Sequence, residues 1–422
     1  MPGIRSYAAL PALGLADRIL LRGHGARIDA AIATERREPA PAGEVALVLG
    51  AGNVTATPVL DVLDQIFRHG RSVLLKPSPL HDTLTDHFTA ALRPLVAADL
   101  LAIHRGDGAT GKALAHRDEI ASVHLTGSSA TWAELHGDPA LAGKALSAEV
   151  GCCTPALVVP GQWRDRELRA AAEQIAAYVA MNGGATCLAP RLLVSARRWP
   201  QRRAFLERLR HALATLPARL PFHPGSRQAY ALAAGVEPRA DGLQPILRAD
   251  LDRARDAALW SGELFAPVLL EIALDADDTP RWLEQATAFV GGEVFGALSA
   301  YLFAPARRHG IDEAAIERAI ARLPHGTIAI NCWTGLGYGL GNTPWGVPPD
   351  TPWQCGHGFV RGPSGLCPLR TVVRGPLRPH PLPPWLPSHR RGAPTLRALT
   401  HFLLAPSPTG LAKVVALALQ QP

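Results

Sequence analysis

The chain has 422 residues, 47% of them hydrophobic and 19% charged. This is the balance of a folded globular protein, long enough for two or three domains with their own cores. The formal net charge of +7 comes mainly from scattered arginines. They form no stripe interleaved with aromatics, so a nucleic-acid partner is not expected, and the field favours an anionic ligand such as a phosphorylated cofactor.

No apolar run is long enough to span a bilayer without charged, Pro or Gly interruption, and the first residues hold no apolar signal core. The expectation is a soluble, cytoplasmic protein with no membrane partner. Six cysteines (Cys152, Cys153, Cys187, Cys332, Cys355, Cys367) show no Cys-x-x-Cys spacing, and the 16 histidines give no His-x-x-x-His pair beside a Glu. No metal site is expected, and the thiols should be reduced.

In chain order, residues 1–40 carry two short Leu/Ala-rich helical patterns. Residues 45–49 (Val-Ala-Leu-Val-Leu) read as a strand buried on both faces, running into Gly50-Ala51-Gly52-Asn53. A helix to Gly70, a strand at 72–76, a helix over 84–96, a strand at 100–104, a further helix and a strand at 122–125 follow. Such alternation implies a parallel sheet of nucleotide-binding type. Gly106-Asp107-Gly108-Ala109-Thr110-Gly111 satisfies the dinucleotide pattern literally, but it follows the third strand and Thr126 stands where the ribose carboxylate belongs. It reads as a glycine-rich helix start that a cofactor approaches. Thr126-Gly127-Ser128-Ser129 is a polar turn suited to a phosphate at a helix start.

The second half continues with Glu149-Val150-Gly151, a strand at 156–159 and a helix over 168–179. Then comes Met181-Asn182-Gly183-Gly184-Ala185-Thr186-Cys187, a Gly-Gly loop ahead of a strand at 192–194. A thiol in such a loop either packs as a small hydrophobe or meets a ligand. A basic helix over 199–216 reads as a solvated face, and 217–262 as loop-rich. A strand at 269–272 follows Glu263-Leu264-Phe265-Ala266-Pro267-Val268, and another spans 326–331. Gly/Pro/Trp-rich loops over 333–370, a proline-dense basic strap over 376–394 and a last helix over 409–419 end the chain.

Six ordered signatures resemble the aldehyde dehydrogenase superfamily over roughly residues 44–350: Asn53 in its strand-to-turn motif, Lys76-Pro77-Ser78, Thr126-Gly127-Ser128, Glu149-Val150-Gly151, Cys187 in its loop, and Glu263 with Phe265. The ending, Asn331 with Pro344-Trp345-Gly346, is similar too. The resemblance implies an α/β protein with a Rossmann-like cofactor domain (1–148, with a short extension 1–43), a catalytic domain (149–345), and a C-terminal segment (346–422) that returns to the cofactor domain or forms an oligomerisation arm. It implies Cys187 as nucleophile, Asn53 with the Cys187 N–H as oxyanion donors, and Glu149 as general base. Lys76, Ser78, Gly108, Gly111, Thr126, Gly127, Ser128, Gly151, Glu263 and Phe265 would hold the cofactor, with Lys76 on the adenosine ribose and Glu263 on the nicotinamide ribose.

Taken alone, Asn53 could cap a helix, Lys76 could be a surface lysine and Glu149 an ordinary charge beside a strand. Pro79 replaces the family's ribose-binding acid, which admits NADP beside NAD. Cys152-Cys153 would crowd the nicotinamide, and Trp132 stands where glycine is usual. Only some fifty residues precede Asn53, so the usual first oligomerisation hairpin is expected to be missing or replaced. Three functions are consistent with these features: an NAD(P)-dependent aldehyde dehydrogenase, a coenzyme A-acylating reductase, and a degenerate binding protein. A homodimer is admissible, and Trp333, Tyr338 and Trp345 suggest an aromatic-walled route for an apolar aldehyde.

Overall fold

The computed structural model describes residues 4–8, 27–31, 43–305, 312–339, 345–348, 351–360 and 370–420; 4–8, 27–31 and 359–360 are described by backbone alone. Two parallel-rich sheets organise them. The first has seven strands in the order β14-β15-β7-β6-β3-β4-β5: Trp345–Val347, Gly356–Val360, Ala145–Val150, Ile120–Gly127, Val45–Leu49, Ser72–Lys76 and Leu101–Ile103. Strands β3 to β7 are parallel, and β15 adds antiparallel to β7. Ala46, Leu47 and Val48 on the central strand are fully buried, which is why that run shows no alternation.

The chain moves outward from β3 to β4 and β5, then returns to pair β6 against β3. This reversal of strand order opens a crevice beyond the carboxyl ends of β3 and β6. Asn53 and Thr126 follow or end those two strands.

The second sheet runs β1-β2-β16-β13-β12-β8-β9-β11-β10: Ile4–Ala8, Arg27–Ala31, Thr371–Arg374, Thr327–Ile330, Ser299–Phe303, Pro155–Val158, Leu192–Ala196, Val268–Leu274 and Ile246–Arg248. From β16 to β10 it is parallel, and its strands are buried along their length except β10 and Arg374 at the end of β16. Only four residues separate β7 from β8. The carboxyl edge of the first sheet therefore abuts the amino edge of the second, and the loops at both edges meet.

Several elements differ from the sequence reading. Within residues 1–40, where helical patterns are expected, Ile4–Ala8 and Arg27–Ala31 pair as antiparallel strands, β1 with β2, and β2 joins the open edge at β16; the rest of that stretch lies outside the described residues. The helix over 84–96 is split into Thr85–Ala91 and Arg93–Ala97 at Leu92. Pro94 explains it, since a proline has no N–H and its ring clashes with the preceding turn. The stretch read as loop-rich contains the helix Ser226–Ala234 and β10. Helix Arg202–Ala214 buries Phe205, Leu206, Leu209 and Leu213, so only its basic side is solvated. The strap docks on the second domain: Gln174 donates to the Leu377 carbonyl (2.7 Å) and Glu173 accepts from the Ser388 N–H (2.8 Å). An additional helix, Gly392–Leu404, precedes Pro408–Leu419.

Candidate active site

The loops leaving the first sheet line a cavity of ≈ 470 Å³ that gathers Lys76, Ser78, Gly108, Gly111, Thr126, Gly127 and Ser128. Two helices begin at its wall. Asp107 caps Gly108–Ala115 by accepting from the Thr110 N–H (2.9 Å), and Ser128 caps Ser129–His136 by accepting from the Thr131 N–H (3.1 Å). Gly111 is confined: a β-carbon there would lie 3.3 Å from Leu49 Cδ2. The Thr126 hydroxyl is turned inward, donating to the buried Asp61 carboxylate (2.8 Å). Lys76, at the end of β4, is buried; burial lowers its pKa, against the pull of Asp107 and Asp82.

A second cavity of ≈ 460 Å³ shares Gly52, Thr126, Gly127, Ser128 and His223 with the first and extends to the second sheet. Asn53, Glu149, Gly151, Cys187, Glu263 and Phe265 all line it. Residues from opposite ends of the chain segment 53–265 thus converge on one hollow. Glu149, read in isolation as an ordinary charge, lies near the end of β7 and is buried.

The cysteine loop owes its shape to three consecutive left-handed residues, Asn182, Gly183 and Gly184. Asn182 Nδ2 donates to the carbonyls of Asn53 (2.8 Å) and Ala185 (3.0 Å), tying the loop to the first sheet. Asn53 Nδ2 reaches the same Ala185 carbonyl over 3.4 Å. This replaces the helix cap considered for Asn53: helix Thr57–Phe67 has no side-chain cap. At Gly184 a β-carbon would lie 2.4 Å from the Pro267 nitrogen, so no other residue fits. Beneath the loop, the buried Arg191 guanidinium donates to the Gly184 and Ala266 carbonyls, joining it to the Glu263 loop. Thr154 donates to the Cys187 carbonyl (3.0 Å) and Tyr301 to the Leu188 carbonyl (2.9 Å).

Electrostatics set the thiol in its resting, protonated form. Burial pushes the Cys187 pKa well above the ordinary thiol value, and the charges of Glu149 and Glu263 push it further. Burial also raises Glu263 to about 8; Arg191 opposes this and Glu149 adds to it. Glu263 Oε1 is buried without a hydrogen-bond partner among the described residues.

The structure corrects several details. Cys152 does not crowd the cavity: its Sγ turns into the core beside Thr154 Oγ1 (3.0 Å) and the Ser299 carbonyl, and Cys153 is fully buried. Trp132 faces away from both cavities and donates to the Trp353 carbonyl (2.6 Å). Trp345 is buried and packed edge-on against Tyr338, filling space beside Cys187 rather than walling an open route. Asn331 binds the Ala304 N–H and carbonyl and so ties β13 to β12; Pro344, like Cys367, lies outside the described residues. Pro79 lines the first cavity, yet Asp82 and Asp107 still act on Lys76, so the lysine is not without carboxylates. His223 went unnoticed in the sequence, where nothing marks a lone histidine in a long loop; its ring lies edge-on to Phe265 (4.6 Å between centroids) and lines both cavities.

The family model described as "Aldehyde dehydrogenase family" matches residues 22–229. The aldehyde dehydrogenase LUC3 of a Fusarium species is 27% identical over 124 residues, 29% of this chain and 26% of that protein, so the aligned stretch spans about a quarter of the relative. An indole-3-acetaldehyde dehydrogenase solved with NAD+ superposes with a TM-score of 0.63 at 21% identity, covering 88% of this chain and 72% of the other. The Mycobacterium tuberculosis aldehyde dehydrogenase solved with NAD+ gives 0.60 at 19% identity, covering 88% and 72%. The matched stretch contains Asn53, Lys76, Thr126, Glu149 and Cys187, and the two-sheet architecture is that of these solved enzymes: the chain has the aldehyde dehydrogenase fold.

Proposed function

We propose that this protein oxidises an aldehyde to a carboxylate with NAD or NADP, through a thiohemiacetal and then a thioester on Cys187. The observation that carries the reading is the convergence of Asn53, Glu149, Cys187 and Glu263 on one cavity continuous with the Lys76–Ser128 hollow. The domain around the seven-stranded sheet would bind the cofactor, and the nine-stranded one carries the nucleophile.

The residues present fit a dinucleotide. Two capped helix starts offer N–H groups to its phosphates, Lys76 sits where a ribose would lie, and the partnerless Oε1 of Glu263 offers an acceptor to a second ribose. When bound, the nicotinamide supplies the hydride acceptor. Asp82 and Asp107 beside Lys76 disfavour an added 2′-phosphate, which favours NAD.

Glu149 removes the thiol proton and releases it to solvent, which restores the carboxylate, and the Cys187 thiolate attacks the carbonyl carbon. Asn53 Nδ2 and the Cys187 N–H donate to the resulting oxyanion, each such donor being worth roughly 100- to 1,000-fold in rate. After oxidation an acyl group remains on Cys187, and Glu149 then deprotonates the water that releases it. The place of Glu149 in the same cavity favours water over coenzyme A as acceptor.

Turnover of aliphatic and aromatic aldehydes with each cofactor, with and without coenzyme A, tests the proposal. Aldehyde-dependent reduction of NAD without coenzyme A is the expected result. Strict dependence on coenzyme A would replace hydrolysis by acyl transfer, and absence of NADH binding would favour a non-catalytic protein.

A further inference from the structure

Residues 351–422 contain eight arginines and lysines and no aspartate or glutamate, so the net charge of +7 resides in this segment and the rest is close to neutral. Arg378, Arg390, Arg391, Arg397 and Lys413 are exposed, and among the described residues none of the five has a carboxylate partner. Elsewhere exposed arginines are commonly paired, as Arg197 and Arg198 are with Asp275 and Asp277. The strap fixes the base of this charge on the second domain, and the helices Gly392–Leu404 and Pro408–Leu419 project from it, packed on each other.

The helical pair buries little: Gly392, Thr395 and Ala398 on one helix, Val414 and Ala418 on the other. Leu396, Leu403, Leu404, Val415 and Leu419 remain exposed, Leu403 at 55% and Leu404 at 79%. Leu396 and Leu403 are seven positions apart and Val415 and Leu419 four, so each pair lies on one stripe of its helix. Exposed leucines beside unpaired cations are the composition of a helix that lies in a lipid interface.

We propose that this acid-free helical hairpin docks the protein onto an anionic lipid surface, its leucines in the acyl boundary and its arginines at the headgroups. A second copy fits worse, because a symmetric contact would set like charge against like. A protein partner fits worse as well, since the exposed apolar face of residues 392–420 is leucine and valine, which are under-represented among protein-interface hot spots, with no Trp or Tyr. Among the described residues no helix is long and apolar enough to cross a membrane, so the attachment is peripheral. No residue of the hairpin lines either cavity, and the proposal is independent of the chemistry on Cys187.

Co-sedimentation of the full chain with phosphatidylserine-containing and pure phosphatidylcholine vesicles, at low and high salt, is the test. Binding should be at least about tenfold stronger on the anionic vesicles and weaken with salt. The double variants L403E/L404E and R390E/R391E change only exposed side chains; each should lose about tenfold in binding while the thermal melt is unchanged. Equal partition onto both vesicle types, or full binding by either variant, overturns the proposal. A lipid-free dimer dissolved by L403E/L404E would assign the face to a second copy, and polyglutamate binding without vesicle binding would assign it to an acidic protein; both overturn it.

Discussion

The carboxyl group of Glu263 lies directly over Gly151: a β-carbon at residue 151 would sit 1.6 Å from Glu263 Oε1. A residue just past the end of β7 thus sets where a carboxyl group from the loop ahead of β11 can rest, and both line the cavity that holds Cys187.

Gly151→Ala should therefore displace Glu263. The affinity for NADH, read by fluorescence titration, is expected to fall by about tenfold, with stability lower by roughly 1–3 kcal/mol from overpacking. An unchanged dissociation constant would remove Glu263 from cofactor binding.

Cys187→Ala should lower turnover by roughly a thousandfold or more, with the melt and NADH binding kept. The residue lies in a loop whose shape depends on Gly184, Arg191 and Thr154 rather than on the thiol. Retained aldehyde oxidation in this variant would rule out the covalent route.

The raised thiol pKa predicts a pH profile. Only the thiolate is alkylated, so the rate of Cys187 modification by iodoacetamide should climb about tenfold per pH unit through neutrality and still be rising at pH 9. Glu263 ionises at about 8, and its negative charge then opposes formation of the thiolate. Glu263→Gln should react faster than the parent above that pH and equally below it. Coincident profiles at every pH would show that the two groups do not interact.

Arg191→Met should be strongly destabilising, because the buried carbonyls of Gly184 and Ala266 lose their shared donor. A loss of about 2–5 kcal/mol in urea unfolding is expected. Glu263 would also lose the positive charge that holds its pKa down, so its ionisation should move above about 8. A variant with parental stability would mean that water replaces the guanidinium.

The residues that meet in the cavities were legible in the sequence because each sits in a short motif at a strand end or in a loop. Residues 45–49 and 72–76 could be read as strands because buried parallel strands are continuously apolar. The broken helix around Pro94 and the strands Ile4–Ala8 and Arg27–Ala31 were not, since the first turns on one backbone clash and the second on a free sheet edge. Helix Gly392–Leu404 was hidden by the proline-dense strap before it. His223 carried no local signal; it matters because its loop folds against Phe265.

By itself, then, the sequence determined the alternation of strands and helices and the chemical types available: a thiol, an amide, two carboxylates and a lysine at turns. Tertiary structure alone decided which way the side chains face. It turned Cys152 into the core and Cys187 toward the hollow, and it made Trp345 packing rather than a wall. The reason is physical: local periodicity fixes a residue's face on its own element, whereas orientation toward a cavity depends on contacts more than a hundred residues away, such as Asn53 with Ala185.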